Sequence, residues 1–153
     1  MPRYFNASIR NLVYRLRKFK DILDDELKNT IEDNGKYLTD CVRLQLDMGL
    51  DGNMRRIIPP YALRTIKKKI KKGQPYDRVT LKDTGEFYES LYVEFDSGGF
   101  RVLSNDEKVK YLVAKYGEAI LRIDNEDFTR FIRFVVRPEL QEKLKEKLLN
   151  DRT

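Results

Sequence analysis

Arg55, Arg56, Arg64, Lys67, Lys68, Lys69, Lys71, Lys72 and Arg78 place nine cations within 24 residues, and only Asp77 opposes them. The chemistry open to such a run is electrostatic, because ammonium and guanidinium groups neutralise phosphates without reading a base sequence. Residues 55–78 carry +8 while the whole chain carries +6, so everything outside them sums to −2 and the basicity is local. A local basic element in a near-neutral chain points to a polyanion, most simply nucleic acid. The contacts would come from Arg64, Lys67, Lys68, Lys69, Lys71 and Lys72. Four of these lysines crowd the end of the helix they would occupy, where the helix dipole favours cations, so a solvated helix end or an acidic protein neighbour is the competing reading.

Other chemistries find few parts. The chain of 153 residues has no His and no Trp, which removes the commonest general base near neutral pH and the commonest metal ligand. No glycine-rich phosphate loop, nucleophile elbow or paired-cysteine zinc spacing occurs. Asp47 to Gly52 offers acids and glycines but lacks the terminal glutamate of a calcium loop. Asp83, Glu86 and Glu89 beside Lys82 sketch a metal-dependent nuclease site, yet three acids around a turn read as surface residues. No catalytic residue, metal ligand or cofactor is therefore assigned, and the expectation is a non-enzymatic protein. The single cysteine, Cys41, lies in an apolar helical stripe and reads as a small buried hydrophobe in a chain folded under reducing conditions.

The elements that would hold the basic run follow from periodicity. Apolar residues make up 41% and charged residues 37%, with nine Tyr and eight Phe, a globular composition of one domain over 1–153. Ile9, Leu12, Val13, Leu16, Phe19, Leu23, Leu27, Ile31, Leu38, Val42 and Leu46 step by threes and fours along a long amphipathic helix capped at Ser8. Asp24 and Asp25, or Asn34 and Gly35, are where it would bend or break. Its stripe reads as a core face ahead of a self-association surface. Residues 48–60 form a loop, and Pro60 to Gly73 a helix whose thin apolar stripe is Ala62, Ile66 and Ile70. Tyr61 and Tyr76 are expected to pack on the domain.

Val79 and Leu81 alternate as a short strand, Asp83 to Gly85 turn, and Val93 and Phe95 pair with Phe100 and Val102 across a turn at Ser97, Gly98 and Gly99. Ser104 and Glu107 have capping-box spacing for a helix carrying Val109, Leu112, Val113 and Tyr116 and closed by Gly117. After Ile120, Leu121 and Ile123, Asp124 caps a helix through Phe128, Phe131, Ile132, Val135 and Val136, which Pro138 interrupts. A last helix carries Leu140, Leu144 and Leu148, with Glu142 and Glu146 placed to pair with Lys143 and Lys147 or their neighbours on the exposed face. The fold class is α+β: a long amino-terminal helix, a small antiparallel sheet with a hairpin, and carboxyl-terminal helices. No apolar run approaches the roughly 18 residues of a membrane span, and the polar amino terminus lacks a signal-peptide core, so the chain reads as made and folded in the cytoplasm.

Residues 56–95 and 101–121 resemble the tail-completion or virion-morphogenesis proteins of tailed bacteriophages. Thr65, Leu81, Thr84, Gly85, Phe87, Leu91, Ser104, Tyr116 and Gly117 occupy the positions of that pattern. The sequence departs from it at Glu118, Ala119 and Ile120, where many such proteins carry a proline or arginine, and the Lys67–Lys72 run is richer in lysine than the pattern demands. The resemblance implies a virion structural protein at the head–tail junction, a neck or connector ring of six or twelve subunits around the DNA channel. Portal, adaptor and tail proteins would be its partners, packaged DNA a further one, and the virion its location, with no membrane involved. A ring would repeat the lysine run at every protomer and build a positive belt. The alternative is a free-standing, sequence-nonspecific nucleic-acid-binding protein using 55–78.

Overall fold

A computed structural model describes residues 3–96 and 99–150. Helix α1 (Arg3–Asp33) and helix α2 (Gly35–Asp47) follow one another, then come α3 (Leu63–Lys71), the short α4 (Glu86–Glu89) and the hairpin β1 (Leu91–Asp96) and β2 (Gly99–Ser104). The chain ends in α5 (Val109–Tyr116), a 3₁₀ turn (Glu118–Leu121), α6 (Asn125–Phe131), a π turn (Ile132–Val136) and α7 (Arg137–Asn150). Helices at both ends around one two-stranded antiparallel sheet make the α+β class read from the sequence. None of the described helices is long and apolar enough to cross a membrane.

Two apolar clusters share the sheet. Val42 and Leu46 of α2 meet Ile57, Val79, Phe87, Tyr88, Leu91, Val102 and Ile120 in one; Ile31, Leu38, Phe131 and Val136 form the other. Val93 and Ile123 pack against both, so the hairpin and the entry to α6 join them into one unit. The hairpin register pairs Leu91 with Ser104 and Asp96 with Gly99. Gly99 thus begins β2 rather than belonging to the turn, while Ser97 and Gly98 lie outside the described residues.

The helix breaks at Asn34, one of the two expected places. Its side-chain amide donates to the Thr30 carbonyl at 2.9 Å and to Glu139 of α7 at 2.8 Å, so the residue that ends α1 also ties it to α7. Glu142 and Glu146 were expected to pair with Lys143 and Lys147 or their neighbours along α7, and among the described residues Lys143 and Lys147 go to other carboxylates. Lys143 instead reaches Glu139 and Asp33, at 2.9 and 3.1 Å, and Lys147 pairs with the buried Glu26. Helix α7 packs on α1, so Lys147 finds its carboxylate across the interface, and Lys143 divides its ammonium between Asp33 of α1 and Glu139 one turn back on its own helix.

Four further expectations change. The backbone of α1 is already helical at Arg3, so Ser8 lies inside the helix and does not cap it. Pro138 does not interrupt the carboxyl-terminal helices, because the π turn over Ile132–Val136 widens the backbone ahead of the proline ring. Ser104 and Glu107 form no capping box: Ser104 ends β2, its hydroxyl shares a hydrogen with Ser90 at 2.7 Å, and it accepts from the Asp106 amide at 3.1 Å. Val79 and Leu81 form no strand, for a reason that lies with Tyr61.

Candidate nucleic-acid interface

Tyr61 directly precedes α3, and its hydroxyl oxygen accepts from the backbone amides of Thr80 and Leu81 at 2.9 and 3.1 Å. Those amides would be ladder donors in a strand; wrapped around a phenol, with Leu81 at φ 56°, they form a loop. Tyr61 packs against the core as expected, whereas Tyr76 is half exposed. Helix α3 starts at Leu63, later than Pro60, with extended Ala62 as its cap. It closes on Gly73 at φ 63°, whose amide bonds the Ile70 carbonyl at 3.1 Å, so a glycine is needed where the chain turns left-handed.

The face of α3 turned to the domain is Thr65, Ile66 and Lys69, not Ala62, Ile66 and Ile70; Ile70 is exposed. Lys69 is only 4% exposed. Its ammonium stands over the Tyr61 ring, 4.9 Å from the ring centre, and donates to the Lys82 carbonyl at 2.7 Å. A long side chain can bury its methylenes this way only if its charge finds acceptors. Lys69 therefore leaves the set of outward cations: it is the strut between α3 and the 80–83 loop.

Asp83 at the end of that loop takes Lys68 at 2.8 Å on one oxygen and Lys72 on the other. These two ammonium donors hold the Asp83 carboxyl down at about 2, well below the usual range. Gln74 completes the brace, donating to the Asp83 carbonyl at 2.7 Å. Two of the six candidate contacts are thus partly neutralised within the chain, though their side chains remain 58% and 38% exposed.

Arg64, Lys67 and Lys71 remain. Their three- and four-residue spacing sets them on one side of α3, all are exposed, and none meets a carboxylate among the described residues. The sequence could not separate these three from the lysines beside them, because only the fold brings Asp83 under Lys68 and Lys72. The missed signal is Asp83 itself, an acid five residues beyond the basic run.

The residues of the phage pattern build scaffold. Gly85 at φ 104° opens α4 after the Thr84 hydroxyl bonds Glu86 at 3.0 Å, Phe87 is buried in the core, and Gly117 at φ 86° closes α5 beside Tyr116. They do not converge on one site. Among the described residues no three acidic, histidine or cysteine side chains are grouped to hold a metal ion; Asp83 faces its lysines, and Glu86 faces Thr84 and Lys108. In the Asp47–Gly52 loop, the Asp51 carboxylate accepts from the amides of Asn53 and Arg55, so it shapes the loop. Burial pushes the Cys41 thiol up to about 11, which makes it a poor nucleophile.

No protein-family model matches the chain, and no curated protein and no solved structure matches it.

Proposed function

We propose that this protein is a non-enzymatic structural component of a tailed-phage virion, a tail-completion or neck subunit that forms a homo-oligomeric ring of six or twelve copies around the DNA channel at the head–tail junction. One observation carries the electrostatic half of the reading: Arg64, Lys67 and Lys71 stand together on the open side of α3 with no counter-ion among the described residues. A ring repeats that trio at every protomer, and phosphate contacts that are weak singly multiply around a closed belt. The sequence resemblance over residues 56–95 and 101–121 supports the virion half, with portal, adaptor and tail proteins as neighbours. A rigid brace beneath α3, built from Lys69, Gln74 and Asp83, would keep the trio at a fixed height.

The test is reversal of Arg64, Lys67 and Lys71 to Glu. Particles should assemble and retain packaged DNA poorly; full retention would remove DNA as the partner, and failure to assemble would make α3 a contact with an acidic neighbour. Reversing Lys68, Lys69 and Lys72 would be the wrong experiment, because it buries a carboxylate at position 69 and crowds acids around Asp83. The same trio would serve a free-standing nonspecific binder. That reading requires the isolated chain to bind duplex DNA tightly with a steep salt dependence, where a ring subunit binds weakly.

A further inference from the structure

Ile9, Leu12, Val13, Leu16 and Phe19 are exposed, so the stripe of α1 is a core face only from Leu27 onward. The edge of the sheet is more specific about what would cover it. Helices α1 and α2 pack on β1, while β2 has no strand beside it except β1 among the described residues. Asn105 donates to the Ser90 carbonyl at 3.2 Å, and the hairpin register sets residue 105 opposite residue 90. Hydrogen-bonded pairs alternate along an antiparallel ladder, so Tyr92 with Leu103 and Glu94 with Arg101 exchange bonds, and the amides and carbonyls of Phe100 and Val102 point away from β1. No further backbone bond reaches them among the described residues.

A groove of about 700 Å³ follows that edge, lined by residues 99–103 of β2 and, from the elements after it, by Val113, Leu121, Ile123 and Phe128. Unmatched ladder groups at every second residue are completed by another extended main chain, which presents a donor and an acceptor at the same repeat. Side chains of such a strand opposite Phe100 and Val102 would share their face of the sheet, where Val102 is buried in the core and the Phe100 ring lies 5.9 Å from that of Phe128, and so would be apolar. The side chain opposite Arg101 would share the other face. Arg101 and Arg122 line the groove against one acid, Glu118, so a carboxylate opposite Arg101 is the complementary choice. A second copy offering its own β2, with Phe100 of one opposite Val102 of the other, would instead set Arg101 against Arg101.

We infer that the outer edge of β2 receives an extended segment of another protein as a third, antiparallel strand, whose residues opposite Val102, Arg101 and Phe100 are apolar, acidic and apolar. The site shares no residue with the trio on α3, so it stands or falls apart from the proposed function.

The test is an NMR titration of the full-length chain with the blocked peptide Thr-Val-Glu-Val-Thr, carried to millimolar concentration, whose valines would fall opposite Phe100 and Val102. Amide shifts should centre on residues 99–103, and exchange of the Phe100 and Val102 amides with deuterium should slow. N-methylation of both valines should weaken binding about tenfold, because it removes the two donors facing β2. Lysine in place of the glutamate should weaken it about threefold. No shift at residues 99–103 would overturn the site, and equal binding of the methylated peptide would overturn the added strand. Slowing of those two amides with protein concentration alone, unchanged by peptide, would give the edge to a second copy and overturn the choice of partner.

Discussion

The ammonium of Lys69 donates to the backbone oxygen of Lys82 at 2.7 Å from beneath α3, so a residue of the most basic run in the chain is part of its interior. Lys69→Met keeps the stem and loses the charge-assisted bond. It should cost about 1–3 kcal/mol in urea denaturation, the range for leaving a buried carbonyl unpaired. DNA binding should change little, because the lysine does not face outward.

Asp83 gives a pH dependence of known sign. Its folded value, about 2, lies below that of a free carboxyl, so its contribution is full above about pH 4 and is lost as pH falls towards 2. The side chain is half exposed and screened, which limits each pair to about 0.2–1 kcal/mol. Asp83→Asn should therefore lower stability slightly at neutral pH and flatten its fall between pH 4 and 2, followed by chemical denaturation. It should also strengthen salt-sensitive DNA binding by releasing Lys68 and Lys72.

Gln45 is 1% exposed and bridges two strangers in sequence. Its amide nitrogen donates to the Arg122 carbonyl at 2.9 Å and its oxygen accepts from the Asp124 amide at 2.8 Å. Gln45→Leu leaves both backbone groups buried without partners. A loss of about 2–4 kcal/mol is expected in the same denaturation assay.

Gly52 sits where a side chain has no room. A Cβ there would come 2.4 Å from the Arg122 Cβ and 2.5 Å from its carbonyl oxygen, with backbone unable to give way cheaply. Gly52→Ala should push the loop off the 3₁₀ turn, break the Gly52 amide bond to Ala119 at 2.8 Å, and lower the melting temperature by several degrees, read by calorimetry.

What the sequence showed was local. The break at Asn34, the Asp124 cap, the hairpin and the Gly117 closure each depend on one or two neighbouring residues with strong conformational preferences, and each was legible. What it hid was tertiary. Val79 and Leu81 alternate like a strand, but the Tyr61 hydroxyl claims the amides a strand would use. Glu142 and Glu146 stand beside Lys143 and Lys147, yet Glu26 of α1 draws Lys147 across the interface and Lys143 goes to Asp33 of α1 and to Glu139 of its own helix. The basic run was visible as charge. Its division into a strut, two braced lysines and an open trio required knowing where residue 83 lies.

The most direct measurement is a density map of the assembled particle in which α3 can be placed. The account predicts Arg64, Lys67 and Lys71 of every copy lining the channel and facing DNA. Those side chains turned to bulk solvent, or pressed against carboxylates of another polypeptide, would contradict it.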